Sequence, residues 1–245
     1  MTVSSGGTQS PGGVLRSEIA GYPSFLVSGL KHTVTNPRNR WILTGAGASI
    51  LILNRFDLQV RTFSQERGLL PEDLSHVLDL YGGGMAYPAA LATVGTLSWL
   101  QGDSWQGGFR KLKYVWTSMA VTATFTSAIK TLSHRKRPNG KGFRAFPSGH
   151  TSGSFVVAAT FQELYGSKAG VPLYLVAAAV GVQRIHDNRH WLTDVVAGAV
   201  LGTVIGRGFG VAFRDEAEDP AVTLSARDKN VLQVNLVFPL NWTHR

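Results

Sequence analysis

RAFPSGHTSG, residues 144–153, runs directly into SFVVAATFQ, residues 154–162. A Pro-Ser-Gly turn gives way to a row of small and apolar side chains, and a histidine stands at the junction. Ser148 is placed to cap an apolar helix, its side-chain oxygen accepting from amides of the first turn. On that reading alone His150 is only an exposed first-turn residue. Short Ser/Gly/His strings are common and carry little meaning by themselves, so the rest of the chain must decide whether the imidazole has a task.

The charge around His150 is one-sided. The 245-residue chain has 24 Lys and Arg against 15 Asp and Glu, a net charge of +9. No acidic residue occurs between Asp103 and Glu163, yet Arg110, Lys111, Lys113, Lys130, Arg135, Lys136, Arg137, Lys141 and Arg144 all fall there. Such an excess suits an anionic partner: nucleic acid, phospholipid headgroups or a phosphorylated substrate. There is no cysteine, which excludes disulfides, thiolate metal sites and a thiol nucleophile.

Uncharged runs alternate with charged stretches along the chain. WILTGAGASILILN lies between Arg40 and Arg55, and a longer run from Leu80 to Gly102 contains YPAALATVGTLSWL. YVWTSMAVTATFTSAI, AFPSGHTSGSFVVAATFQ, AGVPLYLVAAAVGVQ and VVAGAVLGTVIG follow in turn. These six runs read as helices that are apolar around much of their circumference, giving an all-α bundle. Only the second reaches the roughly 20 residues of a spanning helix. Two architectures fit: a membrane bundle of short helices, which is favoured, and a water-soluble bundle. If the runs span, the Arg110-Lys111-Lys113 and Lys168 loops share the cytoplasmic face with both termini. Residues 1–29, rich in Gly, Ser and Thr, read as a flexible tail and not as a signal peptide. Residues 30–214 form the helical domain. Residues 215–245 combine an acidic linker with a strand-like tail in which Leu232, Val234, Leu236 and Phe238 alternate.

Three clusters sit where charged loops meet apolar runs. They are Lys130 with Arg137-Pro138, Pro147 to His150, and Arg184 with His190 and Asp194, which stand six and four residues apart. In an antiparallel bundle all three fall at one end. Lys130, Arg137 and Arg184 offer fixed charge and N–H donors to a tetrahedral oxyanion. The amides of Ser148 and Gly149 lie at a helix start, where phosphate oxygens are well accommodated. His190 and Asp194, at i and i+4, are expected on one face of a helix beginning near Trp191. The carboxylate can hold one imidazole nitrogen protonated and leave the other as a nucleophile. His150 is placed to donate a proton to a leaving oxygen. Each residue also has a plainer explanation: a solvated basic loop, an interfacial histidine, or a helix-start carboxylate.

The three clusters together resemble the type 2 phosphatidic acid phosphatase superfamily, which also contains vanadium haloperoxidases and bacterial acid phosphatases. Its pattern is Lys, six residues, Arg-Pro; then Pro-Ser-Gly-His; then Ser-Arg, five residues, His, three residues, Asp. The resemblance covers about residues 75–210, with Gln183 standing where serine usually precedes the arginine. It implies that His190 attacks phosphorus to form a phosphohistidine, that Asp194 orients it, and that His150 protonates the leaving group. It further implies that Lys130, Arg137, Arg184, Ser148 and Gly149 hold the phosphoryl oxygens and that no metal is needed. The expected substrate is a lipid phosphate or prenyl diphosphate, at a multi-pass membrane site on the extracytoplasmic face. A soluble or periplasmic acid phosphatase is the alternative, and a vanadate-dependent haloperoxidase a further one, in which vanadate is the cofactor and not an inhibitor. SHRKRPNGKGFR read as a nucleic-acid-binding arm leaves the other two clusters unexplained, so nucleic acid is not expected as a partner.

Overall fold

The computed structural model describes residues 11–218, 222–228 and 231–236. Among them are nine α-helices: α1 Pro11–Thr35, α2 Pro37–Leu53, α3 Asp57–Arg67, α4 Glu72–Leu80, α5 Ala86–Leu100, α6 Trp105–Ser133, α7 Gly149–Tyr165, α8 Ser167–His186 and α9 Leu192–Glu218. Strands β1 Val222–Asp228 and β2 Val231–Leu236 pair antiparallel, with Val222 opposite Leu236. Each of the six apolar runs falls mostly in helix, and the body of the chain is all-α as expected. The strand-like alternation in the C-terminal segment is one arm of a hairpin up to Leu236; Phe238 lies outside the described residues.

Three differences from the sequence reading have local causes. The first concerns the N-terminal segment, which from Pro11 onward is helix and not a loose tail; residues 1–10 lie outside the described residues. Phe25 and Gly29 of α1 are buried, and the Phe25 ring meets Phe209 of α9 edge-on at 5.6 Å. A side chain at Gly29 would run into the same ring, within 2.7 Å of Phe209 Cγ, so glycine is there for close approach rather than for flexibility. The second concerns the longest apolar run. It is broken by a π turn over Tyr81–Met85, where Gly84 takes φ 148°, and only the 15 residues of α5 continue straight. Among the described residues, the helix long and apolar enough to cross a membrane is instead α9, over Leu192–Ala217. Finally, α9 continues through the start of the acidic linker to Glu218, and α3 and α4 fill a stretch with no apolar run.

Helix α7 packs against α6, α8 and α9. Its contact with α9 depends on Gly198, Gly202 and Gly206, one per turn along the α9 face. A Cβ at Gly198 would lie 2.6 Å from the Ser148 carbonyl oxygen, and one at Gly206 2.6 Å from Ala159 Cβ. At Gly202 it would press onto the Ser152 carbonyl oxygen and come within 2.7 Å of Val156 N. Small residues at this spacing let two helix backbones touch. The contact fixes the N-terminal ends of α7 and α9 side by side. Together with the C-terminal ends of α6 and α8, these ends carry all three motif clusters.

Candidate active site

Asp194 is fully buried at the start of α9. Its Oδ2 accepts from Trp191 N at 2.8 Å, reaching back over the first turn as the acidic member of a capping box does. Its Oδ1 accepts from Arg135 Nη1 at 2.7 Å. His190 lies two residues before α9, not on its face as the spacing had suggested; its backbone N–H donates to the Arg184 carbonyl at 3.2 Å. The His190 side chain is only 4% exposed. Its Nδ1 stands 3.6 Å from Asp194 Oδ2, beyond hydrogen-bond range. Catalytic hydrogen bonds are often long until a substrate tightens them.

Ser148 caps α7, its Oγ accepting from Thr151 Oγ1 at 2.9 Å and from Thr151 N at 3.5 Å. Its own amide donates to the Asp194 carbonyl at 2.9 Å. The sequence reading assigned that amide to an oxyanion; the structure assigns it to tying α7 to α9. The amides of Gly149 and His150, first in the helix, have no intrahelical partner. Lys130 Nζ donates to the Arg144 carbonyl at 2.8 Å. Lys130, Arg137, Arg144 and Gly149 line a cavity of about 370 Å³ together with Tyr87, Ala123, Thr126, Ser127 and Ser152; His150, Arg184 and His190 are not part of its lining. Arg184 is 5% exposed and donates through Nη1 to Gln183 Oε1 at 3.1 Å and to the Asp79 carboxylate. Its Nε is buried with no partner among the described residues. Gln183, in place of the usual serine, is buried and donates to Asp187 Oδ2 at 2.7 Å. It therefore steadies Arg184 and removes no cation.

The electrostatics favour uncharged histidines. Burial pushes the His190 pKa down, helped by the charges of Lys130 and Arg184 and opposed by Asp194. Burial, with the Arg184 charge next, takes His150 down to about 4. Lys130 falls to about 8, through burial and then the neighbouring Arg137, and stays mostly protonated at neutral pH.

The structure thus brings all eight sequence-predicted residues, His190, His150, Asp194, Lys130, Arg137, Ser148, Gly149 and Arg184, to one end of the bundle. It also adds residues that motif spacing does not mark. Asp79, from α4, bridges Arg184 and His150, its Oδ1 lying 3.2 Å from His150 Nε2. Partial burial works against its charge, but Arg184 and His150 hold its pKa below the ordinary carboxylate value. Arg135 stands within SHRKRPNGKGFR, yet in the sequence it reads only as part of a basic loop. Asp57 had no signal at all.

Residues 111–216 match the sequence profile of the PAP2 superfamily. Over 104 residues the chain is 38% identical to a lipid A 1-phosphatase of Porphyromonas gingivalis, covering 40% of this chain and 23% of that protein. It is 31% identical over 131 residues to lipid phosphate phosphatase 1 of Arabidopsis thaliana, covering 36% of this chain and 40% of the relative. The matches therefore span less than half the length of either relative. Two solved structures share the fold. LpxE of Aquifex aeolicus has a TM-score of 0.52 at 19% identity, covering 65% of this chain and 95% of that one. A transmembrane phosphatidylglycerolphosphate phosphatase of Bacillus subtilis has a TM-score of 0.52 at 15% identity, covering 84% and 98%. The segment that matches the PAP2 superfamily profile contains all three clusters.

Proposed function

We propose that this protein is a phosphatase that releases phosphate from a lipid-linked ester or diphosphate through a phosphohistidine. The reading is carried by the convergence of three cationic side chains and two histidines on one bundle end, with a buried carboxylate behind the more buried histidine. His190 Nε2 forms the N–P bond as the P–O bond to the leaving group breaks, and His150 relays to that oxygen the proton that arrives on the substrate phosphate. Asp194 accepts from Nδ1–H and offsets the charge that develops on the ring. Water, deprotonated by His150, then attacks phosphorus; the N–P bond breaks and inorganic phosphate leaves. Lys130, Arg137 and Arg184 hold the oxygens with the Gly149 amide and the Ser148 hydroxyl, so protein cations do the work a metal ion would otherwise do. Orthovanadate, of matching shape, is expected to inhibit.

The cavity supports an amphiphilic substrate, being cationic at Lys130, Arg137 and Arg144 and uncharged along Tyr87, Ala123, Thr126, Ser127 and Ser152. The names of the relatives point the same way. Large apolar side chains on the outer faces, among them Trp41, Leu51, Trp99, Trp105, Trp116 and Leu175, suit lipid contact better than water. We place the helices in a bilayer as a multi-pass bundle, with the site at the ends of the apolar stretches on the extracytoplasmic surface. Release of phosphate from phosphatidate micelles in EDTA, compared with a prenyl diphosphate and a small aryl phosphate, tests the reading. Preference for either lipid supports it; activity on the aryl ester alone would favour a small-ester phosphatase.

Two outcomes follow from the charges. With His150 titrating near 4, the leaving-group proton must enter with the substrate, as a phosphate monoanion. Its second ionisation lies near pH 6. The kcat/KM should therefore fall as pH rises above about 6, and the acid limb should lie below the ordinary histidine value of 6.5, because burial lowers His190. An optimum above pH 8 would contradict both assignments. Asp79 competes with the substrate for Arg184 and His150. Asp79→Asn is expected to lower the inhibition constant of inorganic phosphate several-fold; an increase would mean that Asp79 supports the site instead.

A further inference from the structure

Behind His190 lies a second tier of charge. Arg135, in the loop after α6, spreads its guanidinium across two buried carboxylates. Nη1 donates to Asp194 Oδ1 at 2.7 Å and to Thr193 Oγ1 at 2.7 Å. Nη2 donates to Asp57 Oδ2 at 2.6 Å and to Asn54 Oδ1 at 3.3 Å. Asp57, 5% exposed at the start of α3, is itself fixed by Thr193 N at 3.0 Å and Thr193 Oγ1 at 2.7 Å. The Trp191 ring covers the guanidinium at 5.8 Å.

We propose that Arg135 and Asp57 are positioning residues that set the charge and direction of the Asp194–His190 pair. Two carboxylates that accept from one guanidinium would repel each other without it, and the general relief of such repulsion is a proton on one of them. A protonated Asp194 would no longer accept from His190, and the imidazole would lose both its orientation and its counter-charge. Arg135 prevents that by giving each carboxylate its own donor. Asp57 has the opposite influence: it takes part of the guanidinium charge, leaving Asp194 a better acceptor than a full Arg–Asp pair would. The other charged or titratable groups facing the pair are Lys130 and Arg184, which act on His190, His150, which also interacts with His190, and Lys130 again, which acts with Asp194. None of them bridges the two carboxylates. The inference rests on His190 being the nucleophile.

The two residues should move the acid limb of kcat/KM in opposite directions, which loss of structure alone does not do. Arg135→Gln leaves the Asp194 charge uncompensated beside His190, which favours the imidazolium, so the limb shifts to higher pH and kcat falls about 10- to 100-fold, the usual scale for a supporting partner, with little change in KM. Arg135→Lys keeps the charge and restores the limb. Asp57→Asn gives Asp194 the whole guanidinium, so its limb shifts to lower pH. Thermal unfolding of each variant separates stability from catalysis, and Asp57→Asn serves alone if Arg135→Gln fails to fold. Limbs that stay in place, or a loss of kcat/KM carried by KM, would overturn the proposal. His190→Ala, assayed in parallel, must be inactive; activity there would overturn the nucleophile assignment on which the proposal rests, whatever Arg135 does.

Discussion

His190→Ala is expected to lower kcat by about 10,000-fold or more, the scale at which a nucleophile working as part of a unit is lost. That corresponds to roughly 5 kcal/mol of transition-state stabilisation. The size follows from where His190 sits. It is nearly excluded from water, and the surrounding cations cannot replace the bond it forms. His150→Ala should cost less, about 100- to 10,000-fold, as for a proton donor. Its loss should also shrink on an aryl phosphate, whose leaving group needs little protonation, whereas the His190 defect should not. Steady-state kinetics on a lipid and an aryl substrate checks both. A His190→Ala enzyme within tenfold of wild type would remove the nucleophile assignment.

Gly202→Val is expected to be the most damaging change away from the chemistry. A Cβ there meets backbone atoms of α7, the Ser152 carbonyl and Val156 N, and backbone cannot rotate aside. The two helices must part by about an ångström, and overpacking of this kind costs about 1–3 kcal/mol and occasionally more. The position lies one helical turn from Gly198, which rests on the Ser148 carbonyl, so separation also pulls Asp194 from its bond with the Ser148 amide. Activity should therefore fall together with the unfolding temperature. Gly45→Ala, on the outer face of α2 with nothing within 4 Å, is the contrasting change and should raise helix stability by up to about 1 kcal/mol. Melting curves in detergent distinguish them; an unaltered Gly202→Val protein would contradict the close α7–α9 contact.

What could be read from the sequence was what local spacing encodes. The six apolar runs announced helices because charge is absent from them for many residues at a time. The motif clusters announced themselves because each is contiguous within about eleven residues. Helix α1 was hidden by its glycines and serines, and the residues that anchor it, Phe25 and Gly29, pack against Phe209, a partner far along the chain. Helices α3 and α4 were hidden by mixed polar composition. The residues missing from the sequence reading act across long separations: Asp79 meets Arg184 across 105 residues, and Asp57 meets Thr193 across 136. No spacing rule reaches so far. The Ser148 amide was misplaced for the same reason, since its acceptor is the carbonyl of Asp194 on another helix.

The most direct test of the central claim is to trap the covalent intermediate. Brief reaction with phosphate-labelled phosphatidate in micelles containing EDTA, quenched in alkali, should leave label on the protein. That label should be stable to alkali, labile to acid, located on the peptide containing His190, and absent from His190→Ala. Turnover without any labelled protein, label on another residue, or phosphate release that stops when EDTA is added would contradict a metal-free phosphohistidine mechanism.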